Sequence, residues 1–398
     1  MRYDVLIAGA GPAGLSAAYT AAAAGARVAV LEKSKEIGYP IHTSGGSWID
    51  DLKKLNIPER FMHPIKQGIF LSQNSKAVFE YEKAPSCILD VRGLYQYLAE
   101  TASKAGAKIF VNTTVKSPVM TAGKISGLKA RRQGREILLH APLVIDASGY
   151  SCVLTRSLNL SQGFQRVGVG AEYDLFAPNW PQDSVAFLLG STFAPSGYAW
   201  VFPHGNQRVC LGVGIIRPDT HEDPQKYLEA ILSRSHLFDG TLSDVSRIEY
   251  HTGIIPSESH LKHTASDGIL IVGDAGGLIS TLLGEGIRFA IDIGRMAGVV
   301  AGQAYLEKRC DRKFLLQFEQ QWKKKYLRLF QVGLLVNKRI AATSDAQWDR
   351  RLSLLSKLKP ELLPILLKGE LNTKNILKIM SSHPDFLRTT ILHKLKAR

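Results

Sequence analysis

The chain opens on an uncharged run, residues 5–26, that is broken by Gly9, Gly11, Pro12 and Gly14 and passes directly into Arg27-Val-Ala-Val-Leu-Glu32. A membrane span would leave those glycines and the closing acid unexplained. A strand at 4–8, a tight turn, an alanine-rich helix at 12–25 and a second strand at 27–31 account for all of them. A glycine-containing loop at 37–46 precedes a short helix at 49–55. Amphipathic spacing then predicts a helix over 91–106, followed by a strand at 108–111, a hairpin over 124–140 and a buried strand at 143–145 that ends at Asp146. From about 164 to 250 the period changes to two. Short strands at 185–189, 199–202 and 209–215, with one helix at 224–233, read as an antiparallel sheet inserted into the first domain. The parallel pattern returns at 268–272, and a long helix follows at 286–305. The remainder, 312–398, is helical and broken by Pro360, Pro364 and Pro384. No other apolar run approaches 18 residues, so no transmembrane helix is expected.

Composition narrows the class. With 45% hydrophobic and 21% charged residues over 398 positions, the chain has an ordinary globular balance and enough length for several packed units. Cys87, Cys152, Cys210 and Cys310 are scattered, which argues against a disulfide framework and fits a reducing, cytoplasmic setting. His260 and His263 lie close together but lack carboxylate or thiol companions, so they read as a loop or strand edge and no metal site is expected. The formal charge is +15, and residues 307–398 carry +13 of it. That basic quarter could meet anionic lipid, a phosphorylated substrate or nucleic acid, or serve as a solvated helical face. Few aromatics are interleaved with its cations, which disfavours nucleic acid.

Two motifs carry chemistry. In Gly9-Ala-Gly11-Pro-Ala13-Gly14 the first glycine permits a sharp turn, the second lets backbone amides approach a pyrophosphate, and the third lets helix and sheet pack closely. The helix N-terminus then presents unpaired N–H groups to the phosphates. Glu32 ends the next strand where a carboxylate accepts hydrogen bonds from an adenosine ribose, which suits FAD or NAD over a 2′-phosphorylated cofactor. The second motif, Gly268-Ile-Leu-Ile-Val-Gly273-Asp274-Ala-Gly-Gly277, is followed by Gly284-Glu-Gly286-Ile287 at a helix start. Asp274 can hold the ribityl or pyrophosphate region, and amides near Gly286 and Ile287 can stabilise negative charge on a reduced flavin. Together they predict an FAD site.

The chain resembles the geranylgeranyl reductase family, within the para-hydroxybenzoate hydroxylase-like flavoproteins, from residue 1 to about 305. Pro195-Ser-Gly197-Tyr198-Ala-Trp200-Val-Phe202-Pro203 matches that family's Tyr-x-Trp-x-Phe-Pro signature, and the glycine-patterned Val209-Cys-Leu-Gly212-Val-Gly214 follows it. The resemblance implies an α/β fold: a Rossmann-type FAD-binding domain with an inserted antiparallel-sheet substrate domain and a C-terminal helical region. The boundaries expected are 1–163 for the first part of the FAD domain, with a small substrate-side segment near 64–88. They continue with 164–260 for the substrate domain, 261–306 for the second part of the FAD domain and 307–398 for the basic region. Arg92 resembles the arginine the superfamily directs at FAD, on a segment leading to Val115. The stretch Asp146-Ala-Ser-Gly149-Tyr-Ser151 resembles the strand end beneath the cofactor. The loop Gly38-Tyr-Pro-Ile-His42-Thr43-Ser44-Gly45-Gly46 places Thr43, Ser44 and Gly46 at the cofactor. Thr43 stands where the reductases typically carry a cysteine, and Thr281 replaces a usual proline.

The implied activity is reduction of carbon–carbon double bonds on a geranylgeranyl-type chain, carried as a prenyl diphosphate or a prenyl lipid. Tyr198, Trp200 and Phe202 would form an aromatic floor for the hydrocarbon, as alternate residues on one strand face can. The same alternation also describes an ordinary core face. His42, Thr43 and Tyr198 are conceivable members of a proton route, and no catalytic side chain is singled out. Without a second nucleotide fingerprint, electrons must come from transient NAD(P)H, a ferredoxin or another donor. Lys323-Lys-Lys325, Lys338-Arg339 and Arg350-Arg351 suggest a peripheral anchor on an anionic membrane. An FAD-dependent monooxygenase or halogenase shares these motifs, and so does a flavoprotein without redox turnover, such as a cyclase or lipid-binding protein.

Overall fold

A computed structural model describes residues 1–234, 237–370 and 373–382; Pro384 and the last cations of the basic quarter lie outside the described residues. The helices are α1 (Pro12–Ala23), α2 (Ile49–Lys54), α3 (Val91–Lys104), α4 (Val153–Ser157), α5 (Pro224–Leu232), α6 (Ile287–Glu307), α7 (Arg312–Ala341), α8 (Asp345–Leu355), α9 (Leu363–Lys368) and α10 (Thr373–Ser382). The chain divides into two units. The first comprises 1–62, 89–169 and 251–334, and the second comprises 63–88, 170–250 and 335–398.

The first unit is built on a six-stranded sheet in the order Ala265–Ser266, Ile269–Ile271, Leu143–Asp146, Val5–Ala8, Val28–Leu31 and Lys108–Phe110. All its pairings are parallel except the first. Val5–Ala8 and Val28–Leu31 are buried on both faces, as central strands of a doubly wound sheet must be, so they are apolar without alternation. Helix α1 lies against α6 through a stripe of small residues. Glycines at 294, 298 and 302 bring α6 so close that an added Cβ would stand 2.3 Å from Ala13 O, 2.2 Å from Ala17 O and 2.5 Å from Ala24 Cβ respectively. This contact sets the N-terminus of α1 relative to that of α6.

The first part of α7 completes this unit. Leu315, Phe318 and Trp322 are fully buried, and the Trp322 indole donates to Thr264 Oγ1 at 2.8 Å. His260 packs edge-on against Trp322 at 5.0 Å, and His263 lies 3.7 Å from the Glu319 carboxylate. Both histidines therefore have structural neighbours on α7.

The second unit carries the antiparallel pairings of a seven-stranded sheet, with Gly197–Gly205 between Arg208–Arg217 and Ser184–Leu189. One parallel pairing joins Ser184–Leu189 to Gln67–Leu71, so the segment near 64–88 forms part of this sheet. Phe70 and Phe79 pack against Leu352 of α8, Leu358, Leu362, Leu363 of α9 and Ile379 of α10. The basic quarter thus buries an apolar face here. Hydrogen bonds fix its position: Asp349 accepts from Ser72 Oγ and from the backbone and side chain of Asn74, while Asp345 accepts from Ser191 N and Oγ.

Candidate dinucleotide site

Two cavities meet at the first glycine turn. One, of about 200 Å³, is walled by Gly9, Leu31, Glu32, Lys33, Thr114 and Val115 among others. The other, of about 260 Å³, is walled by residues that include Ala13, His42, Thr43, Tyr95, Asp274 and Gly286. Gly11, Ala147 and Gly149 belong to both walls. A dinucleotide requires this layout, with a nucleoside pocket on either side of a pyrophosphate cradle.

The cradle follows from close backbone contacts. Gly9 has φ +104°, and a Cβ there would stand 2.3 Å from Ala147 O; one on Gly14 would stand 2.1 Å from Gly9 O. A Cβ on Gly11 would meet nothing within 4 Å, so its backbone faces open space where a phosphate can approach. Asp146 shapes the opposite rim. It is fully buried and accepts hydrogen bonds from Ser148 N and Oγ, from Leu154 N, and from Thr155 N and Oγ1. These bonds fold residues 147–149 back over the turn.

On the adenosine side, Glu32 Oε2 accepts from Ala10 N at 2.8 Å and Oε1 accepts from Ser34 N at 2.8 Å. Each oxygen keeps a free lone-pair direction for a ribose hydroxyl. On the other side, Asp274 sits in the tight turn Gly273–Gly276, and its Oδ1 would lie 3.7 Å from a Cβ on Gly286, the N-cap of α6. Burial raises the Asp274 carboxyl to about 6. Two motifs far apart in sequence thus converge on one wall, and backbone amides, a helix N-terminus and a carboxylate there fit FAD.

Other expected residues are placed differently. Thr43 lines the larger cavity, but Ser44 and Gly46 are absent from both walls. Arg92 begins α3 with its guanidinium turned onto Glu36, to which Nε donates at 2.6 Å, and Gln96 Nε2 donates to the same oxygen at 3.2 Å. Tyr95, one turn further along α3, was not anticipated. It lines the cavity, and burial with the nearby Asp274 charge pushes its phenol well above its usual range. The spacing of Val91 and Tyr95, four apart on one helix face, could have revealed it. Ile254 and Ile255 also line this wall.

In the second unit, Tyr198, Trp200 and Phe202 share one strand face, with ring centroids 5.5 Å and 6.1 Å apart in succession. Trp200 lies across from Gly212 and Tyr198 across from Gly214. A Cβ on Gly212 would come within 2.3 Å of the indole, so the glycines leave room for the ring. Phe187 extends the row, 5.4 Å from Phe202 and 5.1 Å from Phe70. Cys210 and Glu172 are buried on the same sheet, and the thiol donates to the Glu172 carboxylate.

Comparison with known proteins gives these features a family. The FAD dependent oxidoreductase family matches residues 4–157, and the geranylgeranyl reductase catalytic domain matches residues 167–254. A digeranylgeranylglycerophospholipid reductase of Methanothermobacter thermautotrophicus is 31% identical over 395 residues, covering 98% of each chain. A digeranylgeranylglycerophospholipid reductase of Methanocaldococcus jannaschii is 31% identical, covering 97% of each. Among solved structures, a geranylgeranyl bacteriochlorophyll reductase-like protein from Thermoplasma acidophilum superposes with a TM-score of 0.85 at 25% identity over 98% of both chains. A flavin-dependent brominase, at 16% identity and a TM-score of 0.72 over the full length of both, shares the fold.

Proposed function

Because the chain belongs to the geranylgeranyl reductase family of FAD-dependent oxidoreductases, we propose that it saturates carbon–carbon double bonds in the geranylgeranyl chains of a glycerophospholipid. The observation that carries this reading is the aromatic row Tyr198, Trp200 and Phe202, backed by Gly212 and Gly214, inside the segment matched to the reductase catalytic domain. Trp200 and Phe202 are buried with Ile65, Ile88, Val185 and Cys210, and the indole is seated on Gly212; in this reading the row is the apolar surface that a long unsaturated hydrocarbon would meet, gaining affinity from apolar and π contact without polar partners.

FAD, when bound, supplies the hydride for this reduction. In this reading Gly9, Gly11, Ala13 and Gly14 would hold the pyrophosphate, Glu32 and Val115 the adenosine, Asp274 the ribityl or pyrophosphate region, and Thr43, Gly286 and Ile287 the flavin end of the cofactor. An external donor, either NAD(P)H docking transiently or a ferredoxin, would supply the electrons.

The substrate's location points to a peripheral membrane contact at the corner between α7 and α8. Lys323 donates to Glu319 and to Lys262 O, and Lys325 donates to Asp292, so those two cations are engaged. Lys338, Arg339, Arg350 and Arg351 have no carboxylate partner among the described residues, and Leu335 is 55% exposed beside them on α7. Each cation at an anionic surface is worth about 1 kcal/mol. Replacing all four with Gln should therefore abolish cosedimentation with phosphatidylglycerol vesicles. Undiminished binding would remove this anchor. No described helix is long and apolar enough to cross a membrane.

The main test is direct. The protein is reduced anaerobically with dithionite and incubated with digeranylgeranylglycerophospholipid or geranylgeranyl diphosphate, and products are weighed by mass spectrometry. The phospholipid should gain hydrogen in steps of two, and a Gly11→Val variant, whose side chain fills the junction of the two cavities, should be inactive. If a competently reduced flavin leaves both lipids unchanged, the reading fails.

A further inference from the structure

We propose that His42 is the proton donor of the reduction, acting from the wall of the larger cavity. This rests on the alkene-reductase reading above. The side chains on that wall with an exchangeable proton are His42, Thr43, Tyr95 and Asp274. An aliphatic hydroxyl such as Thr43 is too weak an acid to protonate a carbon in step with hydride arrival. The Tyr95 phenol is made weaker still by its burial and by Asp274. Asp274 stands against the N-terminus of α6, where its carboxylate is needed as an acceptor for the cofactor. Imidazole is the side chain most often used to hand over a proton in general acid catalysis.

The geometry also identifies the atom. His42 Nδ1 lies 2.9 Å from Thr252 O. A carbonyl oxygen only accepts, so Nδ1 keeps its hydrogen in both charge states, and Nε2 is the nitrogen that gives and regains a proton. The loop carrying His42 is held on three sides. A Cβ on Gly253 would fall 2.7 Å from His42 O, one on Gly38 3.1 Å from the backbone of Arg92, and one on Gly45 2.9 Å from Leu89 O. Ile41, Ile254 and Ile255 complete an apolar wall beside it. The backbone of the loop is therefore held in place, Nδ1 is tied to Thr252 O, and the exposed ring can be reprotonated from solvent.

The balance closes. The double bond takes up two electrons and two hydrogens: reduced FAD is the source of the hydride, and the second carbon takes its proton from His42 Nε2. The ring is left neutral and recovers a proton from water.

Stopped-flow reoxidation of the anaerobically reduced protein by digeranylgeranylglycerophospholipid tests this, together with the FAD dissociation constant from flavin fluorescence. General acid catalysis contributes about 10²–10⁴-fold, so His42→Ala should slow reoxidation at least about 100-fold. FAD affinity and the rate of reduction by dithionite should stay within about threefold, and free imidazole should restore part of the rate. A variant that reoxidises within threefold of the parent would overturn the assignment. So would a loss that tracks FAD affinity and ignores imidazole. If the parent itself is not reoxidised by the lipid, the alkene-reductase reading falls and His42 with it.

Discussion

Replacing Gly298 with alanine should separate packing from helix propensity in a single pair of variants. The new methyl would sit 2.0 Å from Thr20 Oγ1 and 2.2 Å from Ala17 O. Non-bonded carbon and oxygen rest at about 3.5 Å, so α1 and α6 would have to part by about 1 Å. Thr20 can rotate away, at the cost of the bond it gives to Arg295 O at 3.0 Å, but Ala17 O is backbone and moves only with α1. Overpacking of this kind costs about 3 kcal/mol, and alanine returns about 1 kcal/mol of helix propensity, leaving a net loss of about 2 kcal/mol. Gly333→Ala in α7 is the control, because its Cβ would find nothing closer than 3.5 Å. It should stabilise by up to about 1 kcal/mol. Urea denaturation of the apoprotein, followed by circular dichroism, reads both midpoints. FAD affinity should fall with Gly298→Ala, since α1 and α6 each present an N-terminus to the larger cavity, and should be unchanged in the control. Equal midpoint shifts in the two variants, or a stabilised Gly298→Ala, would refute the close-packing account.

Asp274 gives a pH prediction. Burial raises its carboxyl from an ordinary 3.8 to about 6, so between those values the folded apoprotein binds more protons than the unfolded chain and stability falls as pH rises. A rise of that size corresponds to about 3 kcal/mol, so Asp274→Asn should stabilise the apoprotein by up to that amount at pH 7–8, with the gain vanishing towards pH 4; a pH-independent difference in melting would contradict it. Glu32→Ala leaves Ala10 N and Ser34 N without their acceptor and would remove the ribose contact proposed for it, which should weaken FAD binding by about 2 kcal/mol, near 30-fold, by fluorescence titration. Gly212→Ala pushes the Trp200 indole out of its place and should cut lipid turnover at least about tenfold while FAD content remains normal; retained turnover would show that the ring's position is immaterial.

The parts legible in the sequence are those whose cause is local. The turn Gly9–Gly14 lies between two short apolar strands, so its strand–turn–helix reading needs no distant partner. The observed strand Val28–Leu31 and helix α3 likewise fall within the spans their patterns predicted. Asp274 stood out because it follows a short apolar strand, in a turn among glycines. What escaped depends on residues far apart in the chain. Tyr95 looks like any half-polar helix position until Gly38 packs against α3 and Asp274 arrives from the other side. Helices α8 to α10 read as a basic appendage because the aromatic rings they cover, Phe70 and Phe79, lie more than 270 residues earlier. Arg92 shows a different limit: its type and place suggested a role at the cofactor, but Glu36, seven residues before Thr43 in the sequence, could not be ranked as its partner from the sequence alone.

The same distance problem explains how one cavity comes to be built from both ends of the first unit. The glycines of α6 let the helix descend onto the alanines of α1, and that contact fixes the two N-termini together without any charged partner. Beside it the turn Gly284-Glu285-Gly286 is held from outside the cavity. Glu285 accepts from Arg288 Nε at 2.6 Å and from Ser47 Oγ at 3.2 Å, and Arg288 Nη1 reaches Asp51 of α2 at 3.1 Å. Arg288 and Glu285 are only 9% exposed at their side chains, so removing either partner would leave a buried charge unmatched, a cost well beyond that of a surface pair. An apolar helix contact sets the separation of the two N-termini, and a buried ionic triad sets the conformation of the turn between them. The backbone at Gly286 and Ile287 is therefore held in one place at the start of α6 before any ligand arrives, as electrostatic preorganisation requires.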